Sequence, residues 1–426
     1  MLATAMFVPV APAVTGTGPA TAAPAPCTTD WITAAAASPT DPSLVDPRLT
    51  PLVSGGDQTY RVTVFPAVDG TDVRVRLTNR YRPSALRVGA ATVGAKGRGA
   101  ALASAATPVT FGGKRSVTLA PGADVLSDPV GIPVGGGEPL AVSVYVAGAG
   151  LAPTGHFNAN TTGYYTPPGS GDAAADRSGR RYTLTTTSLP IVSGLDVRPS
   201  RPAATVVAFG DSITDGYVAN SYFTVPEDPS VVDRRVRYPD FLQRRLDAVG
   251  RSTAVVNAGI SGNLVTESGT LPMFGPSGLS RLDRDVLALD GVSDVLLLEG
   301  ANDLATPAAS DYRGLVASYT GMINRLHRAG KRVHLGTLTP MDGSWRHGLA
   351  SPQADAERQR INRWIRDQKL SDSVIDFDSA VRDPSDPSVL AAKYAGPDRV
   401  HPNAAGYRAM AGAVDLDALA GAACRD

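Results

Sequence analysis

Between about residues 58 and 198 the apolar positions recur every second residue. "YRVTVFPAV", "TDVRVRLTN", "ALRVGAATV", "RSVTLAPG", "LAVSVYVAG" and "RRYTLTTTS" alternate or nearly so, with Gly, Pro and Asp between them. Such spacing predicts antiparallel strands with one face buried, arranged as a β-sandwich. A Gly/Ser/Ala/Asp-rich stretch at 166–180, "TPPGSGDAAADRSGR", reads as a surface loop within it. From residue 205 the pattern changes. Short apolar runs, "TVVAFG", "AVVNAG", "DVLLLEG", "RVHLGTLTP" and "SVIDFD", alternate with segments whose apolar residues fall at three- and four-residue steps. That alternation predicts a parallel sheet covered by helices. Gly250 and Gly330 stand as helix stops after "YPDFLQRRLDAV" and "DYRGLVASYTGMINRLHRA", and a last helix starts near "HPNAAGYRAM", with Pro402 suited to its first position.

A chain of 426 residues is too long for one ordinary core, and the change of pattern at "LDVRPSRPAAT" divides it. We read residues 1–26 as an export or disordered segment, 27–200 as the β-sandwich domain and 201–426 as the α/β domain. The Ala/Pro-rich start, with Ala-x-Ala steps near Ala20 to Ala25, suits signal cleavage, although it lacks a basic beginning. An internal start within a longer signal accounts for that lack; an Ala/Pro-rich tail is the alternative. "PAPC" has no aliphatic residue three positions before Cys27, which argues against a lipid anchor. No run of apolar residues is long enough for a membrane helix.

Forty Lys and Arg balance forty Asp and Glu, so neither a nucleic-acid footprint nor a polybasic membrane patch is present. The expected partner is a neutral small molecule or polymer. The two cysteines, Cys27 and Cys424, lie near the two ends of the chain expected after cleavage, and an exported protein would join them as a disulfide.

In an open α/β sheet, ligands collect beyond the carboxyl ends of the strands. Three strand ends here carry polar residues in glycine turns: Gly210-Asp211-Ser212, "NAGISGN" over 257–263, and Gly300-Ala301-Asn302-Asp303. A serine acting as nucleophile needs a base. Of the five histidines, His327 lies in a helix among charges, His334 in a strand, His347 in a loop, and His156 in the β half with no acid beside it. His401 has Asp398 three residues upstream in "DRVHP", so a turn can hand Nδ1 to the carboxylate and leave Nε2 free. A helix-start histidine with a local cap is the competing explanation.

"GDSITDG", "NAGISGN", "GAND" and "DRVHP" occur in the order and strand context of the four signature blocks of the SGNH, or GDSL, hydrolases, which the chain resembles over about residues 203–420. The resemblance implies a three-layer α/β/α, flavodoxin-like domain around a five-stranded parallel sheet. It assigns Ser212 as nucleophile, His401 as base and Asp398 as its orienting acid. The oxyanion hole would comprise the backbone N–H groups of Ser212 and Gly262 and the side-chain amide of Asn302. No cofactor or metal is implied. The site is not a Gly-x-Ser-x-Gly elbow, and Asp211 is expected to hold the turn rather than react. "LDRDVLALDGVSDVLLLEGAND", "GTLTPMDGS" and "INRWIRD" further resemble a secreted bacterial branch of esterases that carries a β-sandwich ahead of the catalytic domain.

The loops at 217–237 and 263–280 mix polar and aromatic residues without a contiguous apolar stretch, which favours short acyl esters, especially acetyl groups on polysaccharide, over lipid or aryl esters. Two readings of other classes stand beside this one. A catalytically silent carbohydrate-binding protein would be expected to have lost at least one site residue; a metal-dependent hydrolase would be expected to show His-x-His or His-Glu-x-x-His spacing, which is absent. "GHFNANTTGYY" at 155–165 is the part of the β half from which a contribution to the cleft is expected.

Overall fold

A computed structural model describes residues 27–41, 56–148, 153–218, 228–266, 274–305, 311–343 and 351–424. The export segment, His347, and residues 219–227 and 267–273 of the expected cleft walls lie outside them.

The first half forms two main antiparallel sheets. One orders Ile32–Ala36, Val192–Pro199, Gly70–Thr78 and Asp124–Leu126, with Val130–Val134 also paired to Gly70–Thr78. The other orders Leu184–Thr186, Gly163–Tyr165, Gln58–Val64, Leu140–Val146, Leu86–Ala95 and Thr107–Val109, with Val117–Leu119 also on Leu86–Ala95. Strict alternation explains their shared core: Val73, Val75 and Leu77 point inward with Val62, Val88, Val142 and Val144. The intervening Arg74 and Arg76 reach Asp290 at 2.7 and 3.0 Å and also pair with Asp196. The polar face of that strand therefore docks the second half. The 166–180 stretch carries no strand, as expected, but it is not merely a surface loop. Ala173 and Ala174 are buried, because the interior Arg61 donates to the Ala174 carbonyl and Thr59 Oγ1 accepts from Ala173 N–H.

In the second half five strands, Ala204–Gly210, Thr253–Gly259, Val292–Leu298, Arg332–Gly336 and Ser373–Ile375, make an all-parallel sheet. Their spatial order is second, first, third, fourth, fifth. The order puts the end of the first strand between the ends of the second and third, with Gly210 in register with Gly259 on one side and Leu298 on the other. This is the switch point at which such sheets bind ligands. Helix Tyr238–Ala248 packs with Ala404–Gly412, and Tyr312–Arg328 with Pro352–Asp367, forming the helical layers over an apolar sheet. Fold and sequence pattern agree on an α/β/α domain preceded by antiparallel β-sheets.

One detail differs. The last helix begins at Ala404, and its cap is Asn403, whose Oδ1 accepts from Ala405 and Gly406 N–H at 2.9 and 3.1 Å. Pro402 lies before the cap, bridged to Ala395. An amide oxygen can satisfy two orphan helix donors, and this sets the start two residues later than proline alone suggests.

Cys27 and Cys424 are joined, with Cα atoms 5.6 Å apart. Each end is also held separately: Thr28 exchanges backbone hydrogen bonds with Ala203, and Ser252 N–H donates to the Cys424 carbonyl at 3.0 Å. By the chain-entropy model a loop of 397 residues limits the bridge to about 5–6 kcal/mol. Alkylation of unreduced protein is expected to find no thiol, and alkylation after reduction two. Two thiols before reduction would exclude the bridge.

Candidate active site

The first parallel strand must stop sharply to present a side chain. Gly210 allows this, since a Cβ there would lie 2.0 Å from the Leu298 carbonyl of the neighbouring strand. Asp211 then turns the chain, its Oδ1 accepting from Ile213 N–H at 3.0 Å, so that a short helix starts at Ser212. The cap is Asp211; Ser212 is the first residue inside the helix rather than its cap. Burial pushes the Asp211 carboxyl up to about 6, opposed by the Ile213 N–H and by His401.

Ser212 Oγ lies 2.7 Å from Nε2 of His401, a residue 189 positions away. His401 Nδ1 lies 2.6 Å from Asp398 Oδ2, while Asp398 Oδ1 accepts from the N–H groups of Val400 and His401. Burial would raise the Asp398 carboxyl, but the His401 ring and these donors hold it down at about 2. As a carboxylate it can only accept, so the proton on the neutral ring sits on Nδ1 and Nε2 faces the serine hydroxyl as an acceptor. Tyr217 packs edge-on to the imidazole at 4.9 Å between centroids, and Tyr407 fixes Tyr217 by donating to its carbonyl at 2.7 Å.

Gly262 has φ +80°, and a Cβ there would lie 2.3 Å from the Phe274 ring, so both conformation and space demand glycine. Asn302 donates from Nδ2 to the Asn263 carbonyl at 2.9 Å, which ties it to the Gly262 loop. The loop is gripped from below by two residues given no role in the sequence reading. Arg281, wholly buried, donates to the carbonyls of Gly210 and Ala258 and to Asn263 Oδ1 at 2.8, 2.7 and 2.7 Å. One guanidinium thus binds two strand ends and the loop that follows the second of them. Asp303 accepts from Val265 N–H and from both Thr266 N–H and its hydroxyl. The available signal for Arg281 was an arginine in the "LSRLDRDV" segment with Asp285 four residues on, now 3.1 Å away. Glu299, also buried here, is pushed up to about 8 by burial and its acidic neighbours Asp211 and Asp303, against the pull of Arg281.

The remaining histidines divide. His334 is packed between Asp294 and Ser373, and His327 pairs with Asp372 on the surface. His156 departs from expectation. It has no acid near it in sequence, yet its Nε2 lies 2.9 Å from Oδ1 of Asp215, 59 residues downstream. Docking of the two halves supplies the acid, which local sequence could not reveal. Among the described residues no group of three or more His, Cys, Asp or Glu side chains is arranged to hold a metal ion, and no helix is long and apolar enough to cross a membrane.

No curated protein matches the chain. Among solved structures it is similar to a lipase/acylhydrolase from Enterococcus faecalis (22% identity, 49% of this chain and 92% of that one, TM-score 0.37). It is similar also to the aryl esterase of M. smegmatis (16%, 49% and 95%, 0.40) and to a carbohydrate acetylesterase from Sinorhizobium meliloti (13%, 49% and 95%, 0.39). The family model of the GDSL-like lipases and acylhydrolases matches residues 208–409, a span that runs from the strand before Ser212 past His401. Residues 208–409 therefore form a domain of the GDSL-like lipase/acylhydrolase family.

Proposed function

We propose that the protein is an exported serine esterase that removes short acyl groups, foremost acetyl, from polysaccharide through an acyl-enzyme. The observation that carries this reading is the hydrogen-bonded chain from Ser212 through His401 to Asp398. Ser212 Oγ attacks the ester carbonyl carbon as its proton passes to His401 Nε2, and the carbonyl π electrons move to oxygen. The N–H groups of Ser212 and Gly262 and the Asn302 amide receive that oxyanion; each such donor is worth about 3 kcal/mol of barrier. Collapse expels the alcohol, which takes the proton from His401. Water, deprotonated by the same nitrogen, then releases the acid and regenerates Ser212. Asp398 stays ionised and stabilises the imidazolium. The mixed polar composition of 217–237 and 263–280 favours a short acyl group on a hydrated alcohol. Export is supported by the disulfide, which persists in oxidising compartments.

The test combines a chain-length series with trapping. With p-nitrophenyl esters, kcat/KM is expected to be greatest for acetate and to fall about tenfold or more by octanoate, and acetylated xylan should release acetate. Brief incubation followed by acid quench should leave one acetyl group on the peptide containing Ser212. Rates that climb with chain length would replace this reading with a lipase.

A further inference from the structure

His156 and Asp215 form a buried pair that joins the two halves directly behind the catalytic turn. His156 comes from the β half, Asp215 from the helix that opens with Ser212, and both are almost fully buried. Each ring nitrogen meets an acceptor: Nδ1 lies 2.9 Å from the Ser38 carbonyl and Nε2 2.9 Å from Asp215 Oδ1. A carbonyl can only accept, so Nδ1 carries a hydrogen. Asp215 Oδ2 meanwhile accepts from Ser261 N–H at 3.0 Å and from its hydroxyl at 2.6 Å. An acceptor at each ring nitrogen favours the doubly protonated, charged ring. Burial opposes this charge, but Asp215 and the Ser38 carbonyl outweigh it and raise the ring above its ordinary value, while Arg237, itself paired with Asp240, opposes them.

Ser261 immediately precedes Gly262. Asp215 therefore clamps the turn carrying Ser212 to the loop carrying Gly262, and the clamp is completed from the other half of the chain. Neighbouring contacts reinforce it. Asn158 Nδ2 reaches Ser261 Oγ and Asn160 Nδ2 the Gly216 carbonyl, both at 3.4 Å, and Asp233 N–H donates to the Asn160 carbonyl at 2.9 Å. We infer that His156 is a positioning residue contributed by the β half, which through Asp215 and Ser261 sets the Gly262 N–H against the Ser212 turn, so that the α/β half alone holds an incomplete oxyanion site. The inference rests on the serine-esterase reading. It gives the β half a part in catalysis besides any role in binding substrate.

The test uses the full chain, p-nitrophenyl acetate, and thermal unfolding to establish the fold of each variant, with Ser212→Ala as a control. Folded His156→Gln is expected to lower kcat by about 10- to 100-fold with little change in KM, because the defect lies in the transition state rather than in ester binding. Ser261→Ala, which keeps the ion pair and removes both hydroxyl bonds of Ser261, to Asp215 and from Asn158, should lower kcat by about two- to tenfold. The double variant should fall no further than His156→Gln alone, since both act through Asp215. Folded variants with wild-type kcat, or single effects that multiply in the double variant, would overturn the inference. If His156→Gln does not fold, Ser261→Ala decides alone: a fall in kcat at constant KM supports the clamp and an unchanged kcat refutes it. Wild-type turnover by Ser212→Ala would instead defeat the serine reading, an outcome distinguishable from the others.

Discussion

Replacing Ser212 with alanine is expected to lower kcat/KM for p-nitrophenyl acetate by about 10⁴-fold or more, about 5.5 kcal/mol of barrier. The substitution removes the attacking oxygen and, among the described residues, one hydrogen bond, to His401 Nε2, so folding stability should change by about 1 kcal/mol. His401→Ala should cost a similar amount, and the double variant little more, because nucleophile and base act as a unit. The residual rate reports what the oxyanion donors and binding do without covalent chemistry. Steady-state kinetics on the three variants make the comparison, and equal rates in wild type and Ser212→Ala would remove the mechanism.

Asp398→Asn is the second large effect, with kcat expected to fall by about 10³- to 10⁴-fold at neutral pH. An amide nearly matches the carboxylate in shape. Its NH₂ would nevertheless donate to Nδ1 and place the ring proton on Nε2, where it faces the Ser212 hydroxyl and cannot accept from it. The acid dependence of stability should change as well. In the folded protein the Asp398 carboxyl lies at about 2, below its ordinary value, so it stabilises the fold above that ordinary value and ceases to do so as pH falls toward about 2. Urea unfolding followed from neutral pH downward should therefore show a shallower acid loss in Asp398→Asn than in the wild type. Identical acid limbs would mean that Asp398 makes no such contribution.

The antiparallel β half was legible because half-buried strands print their two faces as alternation, as "TDVRVRLTN" does. The parallel sheet was legible because strands covered on both faces appear as short apolar runs, "VVAF" and "VLLL" among them. Ser212, Asp398 and His401 could be picked out by chemistry: a hydroxyl and a His–Asp turn each lay beside a glycine- or proline-marked break. The support beneath the site was hidden for a physical reason. Arg281 donates to the carbonyls of Gly210 and Ala258, which like every backbone carbonyl leave no mark in side-chain pattern, and its side-chain acceptors Asn263 and Glu299 lie far from it along the chain. His156 finds its acid only when two separately cored halves meet. The last helix starts later than Pro402 suggests because proline merely suits a first helical position, whereas capping by Asn403 depends on an oxygen whose direction a sequence does not state.

The Cys27–Cys424 bond makes the intervening chain a covalent ring. A single peptide-bond cut within that ring yields a line, not two pieces. A protease that nicks one loop of the protein would leave the β half and the catalytic half as one molecule on a non-reducing gel, and only reductant would separate them. Loss of a whole half would take two cuts. The docking of His156 against Asp215 would then persist after the first, because the fragments cannot diffuse apart.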